Sequence, residues 1–232
     1  MTDRTVPSGR TPDPAPTADP PDQGPTVAFF DLDLTLTTHD TFVPFLIRVA
    51  GITAVVRALG AAARTGRRQG RDAAKAVVVA ALWGGRSQAE LDEAADAHAA
   101  MVLGPGRGRP WSPRLRPNVL ARLDRHRALG HDVAIVSASL APYVGRIGAG
   151  LGVTGTSATE IELVDGAATG RLAGANCRGP EKVARAEALI ADLDWSRAWA
   201  YGDSSGDADL LAAAAHPVWV RRGGNLDGSG PG

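Results

Sequence analysis

Cysteine and lysine are among the residue types this chain nearly does without. A single cysteine in 232 residues, Cys177, excludes an internal disulfide framework and suits a reducing compartment, so a cytoplasmic setting is expected. No histidine neighbours it in sequence, which makes a small buried filler the plainer reading than a nucleophile. Long apolar runs are also missing. Segment 42–63 comes closest to a membrane span, but Arg48 and Arg57 interrupt it, so no transmembrane segment is expected. Nor is there an excess of either charge: 25 Lys+Arg stand against 25 Asp+Glu, which removes any general attraction to nucleic acid. The first 25 residues hold seven prolines and no apolar core, and read as a disordered arm rather than a signal peptide.

What remains has the apolar content of one ordinary core carrying an insertion. "VAFF" at 27–30 opens a buried strand over 26–33. Alanine-rich apolar stretches at 41–63, 72–83 and 87–103 read as helices, and the proline- and glycine-rich segment 104–117 closes that block. A helix at 117–129 leads into a second strand, "HDVAIVSAS". "TEIELVDGAATGRLAG" reads as a hairpin around an Asp-Gly turn, and Pro180 starts a helix over 180–193. "RAWAYGDSSGD" then gives a third strand and an acidic loop, and "PVWV" (217–220) a fourth. Short strands separated by helices predict an α/β fold with a Rossmann-like parallel sheet. Residues 39–116 carry twelve basic and six acidic residues, about +6, densest in "RTGRRQGR" (64–71). A solvated loop is the plain reading of that run; attraction of an anionic substrate or a membrane surface is the other.

Three strands finish in polar side chains: Asp31 with Asp33, Ser137 with Ser139, and Asp203 with Asp207. That edge of an open α/β sheet is where ligands bind. Carboxylates crowded there repel by roughly 4 kcal/mol per pair at about 4 Å and an effective dielectric near 20. Protons or a cation must relieve this, and an all-oxygen donor set selects a hard ion, Mg²⁺. Only two lysines occur beside 23 arginines, Lys75 and Lys182. Lys182 opens a helix, where the dipole disfavours a cation unless it grips an anion such as phosphate.

"DLDLTLT", "VSAS", Lys182 and "YGDSSGD", in that order, resemble the four motifs of the haloacid dehalogenase-like hydrolases. The helical block between the first two is similar to the cap of the phosphoserine-phosphatase-like branch. The resemblance covers 27–220. It implies a core over 26–39 and 117–222, a helical cap over 40–116 and a flexible tail over 223–232. It further implies a phosphomonoester hydrolase with Asp31 as nucleophile and Asp33 as proton shuttle. Mg²⁺ would be held by Asp31, the Asp33 carbonyl and Asp203, with Asp207 ligating or steadying. Ser137 and Lys182 would grip the phosphoryl oxygens and Thr35 would brace the loop. Asp33 favours phosphoester cleavage over dehalogenation, because a halide leaves without a proton. Leu34 stands where many members carry glycine, and the tail lacks a terminal helix found in some relatives.

The substrate is less defined. Phosphoserine phosphatases place a glutamate nine residues after the nucleophile to meet the substrate amine; here that position is Asp40, which also reads as a helix N-cap. A small-molecule or lipid-headgroup phosphate is expected, acted on by a monomer or homodimer. Phosphoryl transfer to an alcohol and an idle phosphate-binding module stay open as alternatives.

Overall fold

The computed structural model describes residues 26–104 and 113–227. The arm expected over 1–25, part of the expected cap (105–112) and the end of the tail (228–232) lie outside them. In chain order the elements are β1 (Val27–Phe30), α1 (Phe42–Ala50), α2 (Ile52–Gln69), α3 (Arg71–Trp83), α4 (Gln88–Leu103), α5 (Pro117–Ala128), β2 (Asp132–Leu140), α6 (Ala141–Leu151) and β3 (Gly155–Thr159). They continue with β4 (Ile161–Val164), β5 (Ala167–Leu172), α7 (Pro180–Leu189), β6 (Trp199–Gly202), α8 (Ala208–Ala213), β7 (His216–Val220) and β8 (Leu226–Asp227).

Six strands form one sheet in the order β3-β2-β1-β6-β7-β8, parallel except for β8. A parallel strand is covered on both faces, and the four residues of β1 are all buried. Adjacent side chains on it point to opposite faces. Phe30 joins Ile135 and Tyr201 on one side, and Phe29 joins Val136 and Ala200 on the other. Each buried phenylalanine contributes about 2–3 kcal/mol. α5 and α6 pack on the Phe30 face, α7 and α8 on the Phe29 face, and α1–α4 extend the Phe30-side core by packing on one another, on α6 and on β5. The strand order reverses at β1, with β2 on one side and β6 on the other, so a crevice opens at its carboxyl end.

The inserted helices differ from expectation in two places. The helix expected over 41–63 is broken at Gly51, whose φ of 78° is open to glycine and strained for other residues. The loop expected over 64–71 is helical as far as Gln69: arginine is a good helix former, and Arg67 and Arg68 suit the negative end of the helix dipole. α4 begins with a capping box, Ser87 Oγ accepting from Glu90 N while Glu90 accepts from Ser87 N. β4 and β5 form the expected hairpin through Asp165 and Gly166, with φ of 50° and 74°. Part of the expected flexible tail is ordered, because the chain reverses after Arg221 and adds β8 to β7. Among the described residues, no helix is long and apolar enough to cross a membrane.

Candidate active site

The crevice is built first by the turn that follows β1. Asp31 N–H donates to the Tyr201 carbonyl at 2.9 Å, which keeps Asp31 in register with β6. The chain then winds tightly, Thr37 N bonding Leu32 O at 2.9 Å, with Leu34 at the left-handed φ of 63°. That conformation explains why glycine suits the position. The Arg116 guanidinium clamps the turn from outside, donating to the carbonyls of Leu34 (3.2 Å) and Thr37 (3.1 Å).

Inside this turn the two aspartates meet different surroundings. Asp31 Oδ1 accepts from Lys182 Nζ at 2.6 Å, and Lys182 also donates to Asp207 Oδ1 at 2.5 Å. Asp207 Oδ2 is occupied by Asp203 N, Ser204 N and Ser204 Oγ at 2.9–3.2 Å, so this side chain ties the acidic loop together. Asp31, Asp203 and Asp207 each place a carboxylate oxygen within 4.8 Å of the others. Asp33 points elsewhere. Its Oδ1 accepts from Thr41 N (2.6 Å) and Thr41 Oγ1 (2.5 Å), and its Oδ2 from the Ser139 hydroxyl. The Tyr143 hydroxyl stands 3.1 Å behind Thr41 Oγ1.

Burial sets the electrostatics. It pushes the Asp31 carboxyl well above the usual range; Lys182 opposes this and Asp207 adds to it. Burial and then the Asp40 charge raise Asp33 to about 6, against the hydrogen bonds from Ser139 and Thr41. Burial and Asp207 raise Asp203 to about 6. Burial works against the charge on Lys182, but Asp31 and Asp207 outweigh it and its pKa rises.

Of the other expected residues, Ser137 is buried on β2 and its Oγ accepts from Ser139 N at 3.1 Å. Thr35 is fully buried, and its hydroxyl has no partner among the described residues. Asp40, one residue before the N-cap Thr41, accepts from Val43 N at 3.0 Å through its Oδ1, and it also lines a cavity of about 320 Å³ beside Asp33 and Ser139.

That cavity exposes what the sequence reading missed. Lys75 of α3 lines it, donating to the Ala138 carbonyl, to Thr159 Oγ1 (3.1 Å) and to Asn176 Oδ1 (2.7 Å). Burial lowers its pKa to about 8. Both lysines of an arginine-rich chain thus sit in or beside the site, so the scarcity that marked Lys182 could have marked Lys75 as well. Thr41, Tyr143, Asn176 and Arg178 carried no local signal.

Residues 28–212 match the haloacid dehalogenase-like hydrolase family. Protein CicA of Caulobacter vibrioides is 33% identical over 195 residues, spanning 82% of this chain and 83% of that protein. A phosphoserine phosphatase of Streptomyces coelicolor is 31% identical over 103 residues, 44% of this chain and 25% of that one. In structure, a probable phosphoserine phosphatase of Vibrio cholerae superposes with a TM-score of 0.61 at 18% identity, over 85% of this chain and 56% of that one. The fold, the four motifs at the sheet edge and the family match agree: the chain belongs to the haloacid dehalogenase-like hydrolases.

Proposed function

We propose that this protein is a phosphatase that cleaves a phosphate monoester by passing its phosphoryl group first to Asp31 and then to water. The observation that carries this is the separation of the two aspartates: Asp31 faces Lys182, while Asp33 rests on Thr41 and Ser139. A carboxylate oxygen of Asp31 attacks phosphorus and the ester P–O bond breaks. Asp33, with a pKa of about 6, gives its proton to the departing alkoxide, then removes one from the water that cleaves the Asp31–phosphorus bond. Lys182 and Ser137 hold the phosphoryl oxygens, and the buried Thr35 hydroxyl lies in the same turn.

The site suits a hard divalent ion. Asp31, Asp203 and Asp207 bring three negative charges against the one ammonium of Lys182, leaving two for a divalent cation to cancel. The donors are all oxygen, which selects Mg²⁺. Asp31, Asp203 and the Asp33 carbonyl would hold it. Asp207, with both oxygens hydrogen-bonded, steadies Lys182 and the loop. Bound there, the ion would neutralise charge on the transferring group.

Helices α1–α4 act as a cap over the crevice, and the cavity between cap and core receives the alcohol portion of the ester. Release of p-nitrophenol from p-nitrophenyl phosphate, with and without Mg²⁺, tests the reading. Wild type should turn over only with Mg²⁺, and Asp31→Asn should lose at least about a thousandfold in kcat. Equal silence of wild type and variant on this ester and on a panel of phosphoserine, sugar phosphates and lipid-headgroup phosphates would remove it. Capture of most phosphoryl groups by added alcohol would assign a transferase.

A further inference from the structure

The longest helix of the insertion, α2, presents a face that nothing among the described residues covers. Ile52 and Val56 are each 63% exposed and Leu59 is 37% exposed, although all three are large and apolar. With Ala63, also exposed, they recur at intervals of four, three and four residues. At 100° per residue the four fall within about 60° of one another around the helix axis. They form a stripe separate from the face that α2 buries through Val55, Ala58 and Ala62.

The flank away from the buried face is basic. Arg57, Arg64, Arg67 and Arg68 are exposed, spread over about 100° on that side, and α2 contains no acidic residue. An apolar stripe bordered by arginines is the pattern of a helix lying in a membrane interface, its apolar side in the acyl boundary and its cations among headgroup phosphates. A stripe built to meet another protein would not need four cations of one sign beside it. The stripe is also continuous with the candidate active site. Leu59 belongs to it and at the same time lines the cavity that holds Asp33 and Ser139. The other walls of that cavity include Phe42, Ala62 and Val78, which are apolar.

We propose that α2 docks this protein on an anionic membrane surface, with the mouth of the cavity turned towards the lipid. On the phosphatase reading above, the ester is then a lipid-borne phosphate whose apolar portion passes Leu59 on its way to Asp31. Docking itself stands on the stripe and the arginines and does not require catalysis.

Co-sedimentation of the full chain with vesicles tests it, using phosphatidylcholine alone and phosphatidylcholine mixed with phosphatidylserine. The wild type should pellet with the anionic vesicles and not with the neutral ones, and added salt should release it. The triple variant Arg64→Gln, Arg67→Gln, Arg68→Gln should bind about fivefold more weakly for each arginine replaced. The double variant Ile52→Ser, Val56→Ser should lose about tenfold or more. Both variants alter exposed residues outside the site, so their melting temperatures and their turnover of soluble p-nitrophenyl phosphate should match wild type. Absence of pelleting with anionic vesicles, equal pelleting with neutral ones, or variants that pellet as well as wild type would overturn the proposal. So would a wild-type dimer, seen by sedimentation velocity, that the serine variant converts to monomer, since the stripe would then belong to a second copy. Turnover of the soluble ester reports on the phosphatase reading separately, so failure of one is distinguishable from failure of the other.

Discussion

Gly202 ends β6 directly beneath Asp207, and a methyl group added there would stand 2.4 Å from Asp207 Cβ and 2.8 Å from its Cγ. Neither atom is the free end of a flexible chain, because both Asp207 carboxylate oxygens are held by Lys182 and by the Asp203–Ser204 amides. Gly202→Ala must therefore displace Asp207 and loosen Lys182 from its place beside Asp31. Overpacking of this kind costs about 1–3 kcal/mol. The expected result is a melting temperature lower by about 2–10 °C, with kcat falling more than tenfold; a variant that melts lower but turns over normally would show that Asp207 does not position Lys182. At this scale the residues that the structure brings together were largely legible. Asp31, Asp33, Asp203, Asp207 and Lys182 stand out because acids at strand ends and a lone lysine at a helix start are costly unless they serve a site. Thr41 and Ser139 were not assigned, because a hydroxyl that hydrogen-bonds a carboxylate looks in sequence like any other hydroxyl.

Among the elements, α3 joins insertion to core in large part through Lys75. The three N–H groups of Lys75 reach the Ala138 carbonyl between the two site serines, Thr159 at the end of β3, and Asn176 before α7. Asn176 returns a bond to Asp72 of α3 at 2.7 Å. Three core segments thus converge on one turn of the cap helix, next to the cavity. Lys75→Met should leave buried acceptors short of donors, at about 1–3 kcal/mol, and let the cap shift over the crevice. KM for a cap-filling ester should rise several-fold, while kcat for p-nitrophenyl phosphate changes little. Equal losses in both would mean that Lys75 contributes stability alone. Element existence was readable where an apolar or alanine-rich run was bounded by turn residues, as in β1, β2 and α4. It was not for α6 and β3. α6 holds three glycines, which lowers its helical signal, yet Gly148 is there because a Cβ would meet Thr156 Cγ2 of β3 at 2.3 Å. Packing between two elements determines that residue, and no local pattern reports it.

Across the whole molecule, burial of histidine links stability to pH. His126 lies on the Phe30 face of the sheet, 3.0 Å from the Tyr201 hydroxyl and 2.9 Å from His131, and burial, with His131 next, lowers its pKa to about 3. Between pH 6.5 and about 3 the unfolded chain binds a proton at this position and the folded chain does not, so stability falls as pH falls. The slope is about 1.4 kcal/mol per pH unit, or about 2 kcal/mol from pH 6.5 to 5. Asp33 and Asp203 act in the opposite sense, since the folded protein takes their protons first as pH drops through 6. Urea unfolding of wild type and His126→Gln at pH 7 and pH 5 separates the two: the wild type should lose about 2 kcal/mol more than the variant over that interval. No difference would mean that the ring accepts a proton in place.

The junction of insertion and core has a consequence of its own. Thr37 bridges Leu115 in antiparallel fashion, Thr38 N bonds Arg114 O at 2.8 Å and Arg116 N bonds Leu36 O at 2.8 Å. The chain therefore leaves the sheet and rejoins it through two segments lying side by side, about 5 Å apart. A folded unit whose own ends are that close can be spliced between them without a change in strand order or register, provided that Thr41, which holds Asp33, is kept. On the phosphatase reading proposed above, a foreign cap grafted between 42 and 114, with Thr41 retained beside Asp33, is a route to new specificity on the same core.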